Sequence, residues 1–93
     1  MEEVNTYDKG IKRKSRLPIA DDSKMNREIL KEILGDEYIV TEAKDGTEAI
    51  ELLKKEEDSF SALLLDLNMP ETNGYQVLEW MNEEHVIEHI PVI

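Results

Sequence analysis

Apolar residues along this chain fall into blocks of two kinds, brief runs without alternation and longer stretches with helical spacing. The first run, Leu17 to Ala20, is followed by Asp21, Asp22 and Ser23, residue types that favour a helix N-cap. A strand is therefore expected to hand over to a helix there. Met25, Ile29, Leu30, Ile33 and Leu34 recur as the apolar stripe of a surface helix, and Gly35 supplies its C-terminal stop. Tyr38 to Ala43 is short and β-branched, which predicts a second strand. Asp45 and Gly46 turn the chain into a second helix with the stripe Ala49, Ile50, Leu52 and Leu53, closing in the charged run Lys54 to Asp58. Ala62 to Leu65 is apolar without alternation, the pattern of a strand covered by helices on both faces of a parallel sheet. After a loop from Asn68 to Asn73, the stretch from Gly74 to about Glu84 predicts a third helix burying Val77, Leu78 and Met81, and Ile90 to Ile93 opens a fourth strand.

This order, β-α-β-α-β-α-β, predicts an α/β fold with a doubly wound parallel sheet, because parallel neighbours need crossover helices. Pro18 fits the first strand badly, since it offers no N–H to a ladder; the strand is expected to begin at Ile19 or to be distorted before it. Residues 1–16 are polar and aperiodic and read as a flexible leader to a single domain over residues 17–93. Their basic cluster of Lys9, Lys12, Arg13, Lys14 and Arg16 is that of a solvated tail. Met69, Trp80 and Met81 are expected in core or loop packing rather than in a binding stripe.

A length of 93 residues bounds the chain to one domain, and 11 Lys+Arg against 22 Asp+Glu give a formal charge of −11. That charge disfavours nucleic-acid backbones and anionic membranes as direct partners. The absence of cysteine excludes disulfides, thiolate zinc sites and cysteine nucleophiles, and suits a reducing compartment. The acidic start and the lack of an apolar run near the ~20 residues of a membrane span point to a cytoplasmic protein.

The chemistry concentrates in carboxylates. In an open parallel sheet, ligands gather at the C-terminal strand ends where strand order reverses, and Asp21, Asp22 and Asp66 all fall at such ends. Convergence would be costly, roughly 4 kcal/mol for each pair about 4 Å apart at an effective dielectric near 20. Either a protonated acid or a hard dication must offset it, and Mg²⁺ suits a small carboxylate set that leaves room for waters and phosphate. Alternatively, Asp21 and Asp22 only cap the first helix and Asp66 only ends a strand. Asp66 is the hardest to treat so, because it directly follows four apolar residues.

The segments Ile19-Ala20-Asp21-Asp22-Ser23 and Leu64-Leu65-Asp66-Leu67-Asn68-Met69-Pro70, with Gly74 eight residues after Asp66, resemble the receiver domain of two-component response regulators from Leu17 to Ile93. The resemblance implies a flavodoxin-like sheet of order 2-1-3-4-5. It implies that Asp66 is the phosphoacceptor, that Asp22 ligates Mg²⁺ directly, and that Asp21 assists through water or hydrogen bonds. The backbone carbonyl of Asn68 would be a further ligand, with Pro70 and Gly74 shaping the loop. The partner implied is a sensor histidine kinase or phosphotransfer protein, whose phosphohistidine the aspartate attacks in a signalling rather than an enzymatic role. The family's Ser or Thr ending strand four and Lys ending strand five would lie beyond Ile93, as would the fourth helix, fifth strand and fifth helix. The expectation is an incomplete receiver, β1-α1-β2-α2-β3-α3-β4, phosphorylated slowly or not at all. It would also expose an apolar sheet face open to homodimers or domain-swapped oligomers.

Three other functions compete. One is a receiver-like interaction module without phosphorylation. Another is a haloacid-dehalogenase-like phosphatase fragment, which wants a second acid where Asn68 stands. The third takes His85-Val86-Ile87-Glu88-His89 as the H-x-x-E-H metalloprotease pattern, against which Pro91 argues by disfavouring a continuing helix.

Overall fold

Strand and helix alternate as the pattern requires. In a computed structural model that describes residues 15–69 and 72–93, the elements are β1 (Ser15–Ala20), α1 (Lys24–Leu34), β2 (Tyr38–Ala43), α2 (Gly46–Glu56), β3 (Leu64–Leu65) and α3 (Gly74–Glu83). Short 3₁₀ turns occupy Glu57–Ser59 and Val86–Glu88. The sheet order is β2-β1-β3, with both pairings parallel, so the crossover from β2 to β3 passes over β1 and creates the expected reversal of strand order. Residues 91–93 continue the sheet beyond β3: Leu63 N–H donates to Pro91 O at 2.9 Å, and Ile93 N–H donates to Leu63 O at 2.8 Å. The expected fourth strand is therefore present as a single bridge, Leu63 to Val92.

The expected leader lies mostly outside the described residues, but β1 starts at Ser15, two positions before the apolar stretch. Arg16 explains the extension. Its guanidinium pairs with Glu56, donates to Ser59 Oγ at 3.0 Å and stands 5.0 Å from the Phe60 ring centroid, while its carbonyl accepts from Ser61 N–H at 3.0 Å. A charged residue is thus held in the ladder by partners from the end of α2 and the segment entering β3.

Pro18 also stands inside β1, opposite Thr41 of β2, and is buried. The β3 side accommodates it. Arg16 O and Ala20 O accept from Ser61 N–H and Asp66 N–H, so the alternation turns the backbone of Pro18 toward the same neighbour. Between the pairings Arg16 to Phe60 and Ile19 to Leu64, the β3 side carries one extra residue. The missing donor therefore meets an interruption of the ladder, as at a bulge, and the strand neither starts late nor breaks.

Leu53, Leu63, Val77, Met81 and Ile90 are buried to 1% exposure or less and form the centre of the core, with Met69 at its edge and Trp80 packed against it. α1 departs from its expected burial. None of its residues is buried; Leu30 and Leu34 are half-buried, while Met25, Ile29 and Ile33 are 69%, 50% and 66% exposed. The five apolar positions form two adjacent rows on the helix, and only the Leu30 and Leu34 row faces the sheet. Leu64 is half-buried for the related reason that part of the α1 side of the sheet lies open, leaving a cleft of about 320 Å³ lined by Leu17, Leu34, Tyr38, Leu64 and Ile93 among others, whereas Leu65 points to the other face and packs against the core. Because Ile33 buries so little, Ile33→Lys should change the unfolding free energy by no more than about 0.5 kcal/mol in urea titrations.

α1 is fastened to β2 by charge as well. Arg27 Nε donates to Glu42 Oε1 at 2.9 Å, and Lys31 Nζ to Oε2 at 3.4 Å. The Arg27 hydrogen bond, aided by Lys31 and partly opposed by desolvation, holds the Glu42 carboxyl below its ordinary value of 4.5. A carboxyl depressed on folding stabilises above its unfolded pKa and loses that contribution as pH falls through the folded value. Glu42→Gln should therefore lower stability at pH 7, and the deficit against the wild type should vanish as pH drops below 4.5 and through the folded pKa, followed by urea denaturation at each pH.

Candidate functional site

The parallel pairing of β1 with β3 brings their C-terminal ends side by side, closed by Asp66 N–H donating to Ala20 O at 2.9 Å. Asp21 and Asp22 leave β1 there and Asp66 leaves β3. One carboxylate oxygen from each lies within 4.8 Å of the others. Asp21 and Asp66 are half-buried and Asp22 is exposed, so the group opens to solvent. A cleft of about 300 Å³ adjoins it, lined by Ala20, Asp21, Asn26, Leu65 and Asp66 among others.

Local hydrogen bonds fix two of the three acids. Asp21 Oδ1 accepts from Ser23 N–H at 2.8 Å, and Oδ2 accepts from Asn26 Nδ2 at 3.4 Å. Ser23, not either aspartate, caps α1: its Oγ accepts from Asn26 N–H at 3.2 Å. Among the described residues Asp22 has no hydrogen-bond partner for its carboxylate, so the capping alternative does not account for it. Asp66 Oδ1 accepts from Asn68 N–H at 3.0 Å, and Oδ2 has no partner among the described residues. Asn68 is exposed beside Asp66, whereas Pro70 lies outside the described residues.

Gly74 holds the other end of this loop. Its N–H donates to Leu67 O at 3.3 Å, and a Cβ on it would stand 2.5 Å from both Asp66 O and Leu67 Cα. Asn73 starts α3 with a reciprocal capping box, its side chain accepting from Gln76 N–H while its own N–H donates to Gln76 Oε1.

Two supporting residues escaped the sequence argument. Arg27 Nη1 donates to Asp21 O at 2.7 Å while its Nε holds Glu42, and Asn26 reaches the Asp21 carboxylate. Helical spacing was the available signal, since both lie in the first turn of α1 over the end of β1.

An all-oxygen donor set of this kind fits Mg²⁺. Oxygens bound to one such ion at about 2.1 Å are separated by no more than about 4.2 Å, so a small side-chain rotation closes the group around it. The second metal-like pattern is arranged differently. His85 has a left-handed backbone, φ 63°, and its Nδ1 lies 2.8 Å from Glu88 Oε2, on a single 3₁₀ turn rather than an α-helix. The three aspartates are the only metal-compatible cluster among the described residues. No helix among them is long and apolar enough to cross a membrane.

Residues 17–93 match the family described as the response regulator receiver domain. Over 81 residues the chain is 36% identical to the 3',5'-cyclic-nucleotide phosphodiesterase regA of Dictyostelium discoideum, covering 86% of this chain and 10% of that protein. It is 26% identical over 76 residues to the polar-differentiation response regulator DivK of Brucella ovis, covering 81% of this chain and 60% of that one. Among solved structures, a CheY-like response regulator receiver domain protein from Methanospirillum hungatei superposes with a TM-score of 0.75 at 30% identity, over 86% of this chain and 63% of the other. The chemotaxis response regulator CheY4 of Vibrio cholerae gives 0.77 at 26% identity, over 86% and 66%. The chain thus spans less than two thirds of each of these relatives.

Proposed function

Because the chain belongs to the response regulator receiver domain family, we propose that it accepts a phosphoryl group on Asp66 from the phosphohistidine of a sensor histidine kinase or phosphotransfer protein. Asp21, Asp22, Asp66 and the backbone carbonyl of Asn68 would hold Mg²⁺ for this step. The supporting observation is the meeting of three carboxylates within 4.8 Å at the strand-order reversal. The bound ion would neutralise charge between an anionic nucleophile and an anionic phosphoryl group.

Asp66 Oδ2, with no hydrogen bond among the described residues, would be the attacking oxygen. The P–O bond to Asp66 forms as the P–N bond to imidazole breaks, and the released imidazole takes a proton from solvent. Asn68 N–H stays on Oδ1, which becomes the carbonyl oxygen of the mixed anhydride. Asp21, braced by Ser23, Asn26 and Arg27, keeps its carboxylate directed at the site. The anhydride then acts as a signal by biasing a local two-state element. The proposed setting for this acidic, cysteine-free chain is the cytoplasm.

Phosphoramidate with Mg²⁺ supplies the test. Intact-mass measurement should show a slowly formed, hydroxylamine-labile adduct of one phosphoryl group, absent from Asp66→Asn. No adduct after prolonged exposure, or one that persists in Asp66→Asn, would contradict the phosphoacceptor role; the former would leave an interaction module.

A further inference from the structure

The loop that follows Asp66 is tied to a helix that contributes none of the three acids. Gly46, the first residue of α2, donates its N–H to Thr72 O at 3.0 Å, so an amide at the start of the helix is satisfied by the β3–α3 loop. The adjoining residue adds a side-chain bond, Thr47 Oγ1 to Thr72 Oγ1 at 3.0 Å. The approach leaves no space: a Cβ on Gly46 would stand 2.1 Å from Thr72 O and 2.8 Å from its carbonyl carbon. Asp45 meanwhile caps α2 from within, accepting from Glu48 N–H at 2.8 Å, so the helix start is firm without the loop. The contact therefore fixes the loop against the helix.

We propose that Gly46 and the Thr47–Thr72 hydroxyl pair form a clamp through which α2 positions the Asp66–Asn68 segment at the cation site. These are positioning residues, and the inference rests on the phosphoacceptor reading above. From Asp66 to Gly74 the loop has fixed points at both ends. Gly74 abuts Asp66 and Leu67 at one, and Asn73 is built into the capping box of α3 at the other. Thr72 is where a separate element, seated in the core through Ala49 and Leu53, holds the same loop. Loss of the hydroxyl pair would let Thr72 shift along α2 and, through Gly74, which packs on Asp66 and Leu67, relax the carboxylate and carbonyl that would face the ion. Groups bonded directly to metal ligands commonly change affinity by about 10- to 100-fold when removed, and the clamp stands one step further out, so a loss at the lower end of that range is expected.

The test compares Mg²⁺ binding by calorimetry in the wild type, Thr72→Val, Thr72→Ser, Thr47→Val and Asp66→Asn, with urea midpoints for each. Thr72→Val and Thr47→Val should each weaken Mg²⁺ binding by about tenfold and slow adduct formation from phosphoramidate with little change in midpoint. Thr72→Ser, which keeps the hydroxyl, should bind like the wild type. Unchanged Mg²⁺ affinity in both valine variants, or an equal loss in the serine variant, overturns the clamp while leaving the phosphoacceptor role intact. Wild-type binding that Asp66→Asn does not alter overturns both. Gly46→Ala is expected to show the larger loss, and the valine variants keep the test decisive if that variant fails to fold.

Discussion

Asp66→Asn is expected to stabilise the metal-free protein by about 1–2 kcal/mol while abolishing both its response to Mg²⁺ and its phosphoryl adduct. The sign follows from the three carboxylates held within 4.8 Å of one another. At that separation a pair of like charges repels by about 3 kcal/mol at an effective dielectric near 20, and by less than 1 kcal/mol in bulk water. Asp21 and Asp66 are half-buried, Asp22 is exposed and the group opens to solvent, so each repulsion lies near the lower limit and two of them sum to about 1–2 kcal/mol. Replacing the Asp66 carboxylate with an amide relieves two of the three pair repulsions and keeps an oxygen to accept from Asn68 N–H. In the wild type, Mg²⁺ bound there would relieve the same repulsion, so millimolar Mg²⁺ should raise the urea midpoint of the wild type and leave that of the variant unmoved. A variant that is less stable than the wild type without metal would mean that the acids do not repel one another in solution.

Gly74→Ala should cost about 2–4 kcal/mol, a large share of the stability of a domain this small. The added Cβ would stand 2.5 Å from Asp66 O and from Leu67 Cα, both backbone atoms, and 2.9 Å from Leu67 Cδ2. A flexible side-chain end can give way, but here the strand end bearing Asp66 or the first turn of α3 must move. The variant should accordingly lose Mg²⁺ affinity together with stability. Tyr75→Ala, one residue on and 64% exposed, serves as the control and should stay within about 0.5 kcal/mol of the wild type in the same urea titration. Equal stability of Gly74→Ala and the wild type would show that the loop has slack the structure does not display.

The alternation of elements and the meeting of the strand ends were legible because both follow from local pattern plus one topological rule. Ala62 to Leu65 marked an interior strand, and a carboxylate directly after it fell at the sheet's C-terminal edge. Asp21 and Asp22 were placed beside it by the crossover, without any local signal linking them to Asp66. Burial on α1 was not legible, since Met25, Ile29 and Ile33 carry the same periodicity as Leu30 and Leu34 and the pattern does not say what lies above each row. Pro18 misled for a similar reason: whether a proline fits depends on the neighbouring strand, where one extra residue opens the ladder. The contact of Gly46 and Thr47 with Thr72 joins a helix start to a loop 25 positions away, and no period connects them. Arg27 read as a polar helix position, although its two bonds join α1 to Asp21 and to Glu42.

Whether acids from β1 and β3 share one divalent ion can be read most directly from paramagnetic broadening of amide NMR signals by substoichiometric Mn²⁺. The amides of Asp21, Asp22, Asp66 and Asn68 should broaden first and together, and Asp66→Asn should remove the effect from all four. Broadening confined to one strand end, or spread over other acidic surfaces such as Glu83 and Glu84 and indifferent to Asp66→Asn, would contradict a shared ion.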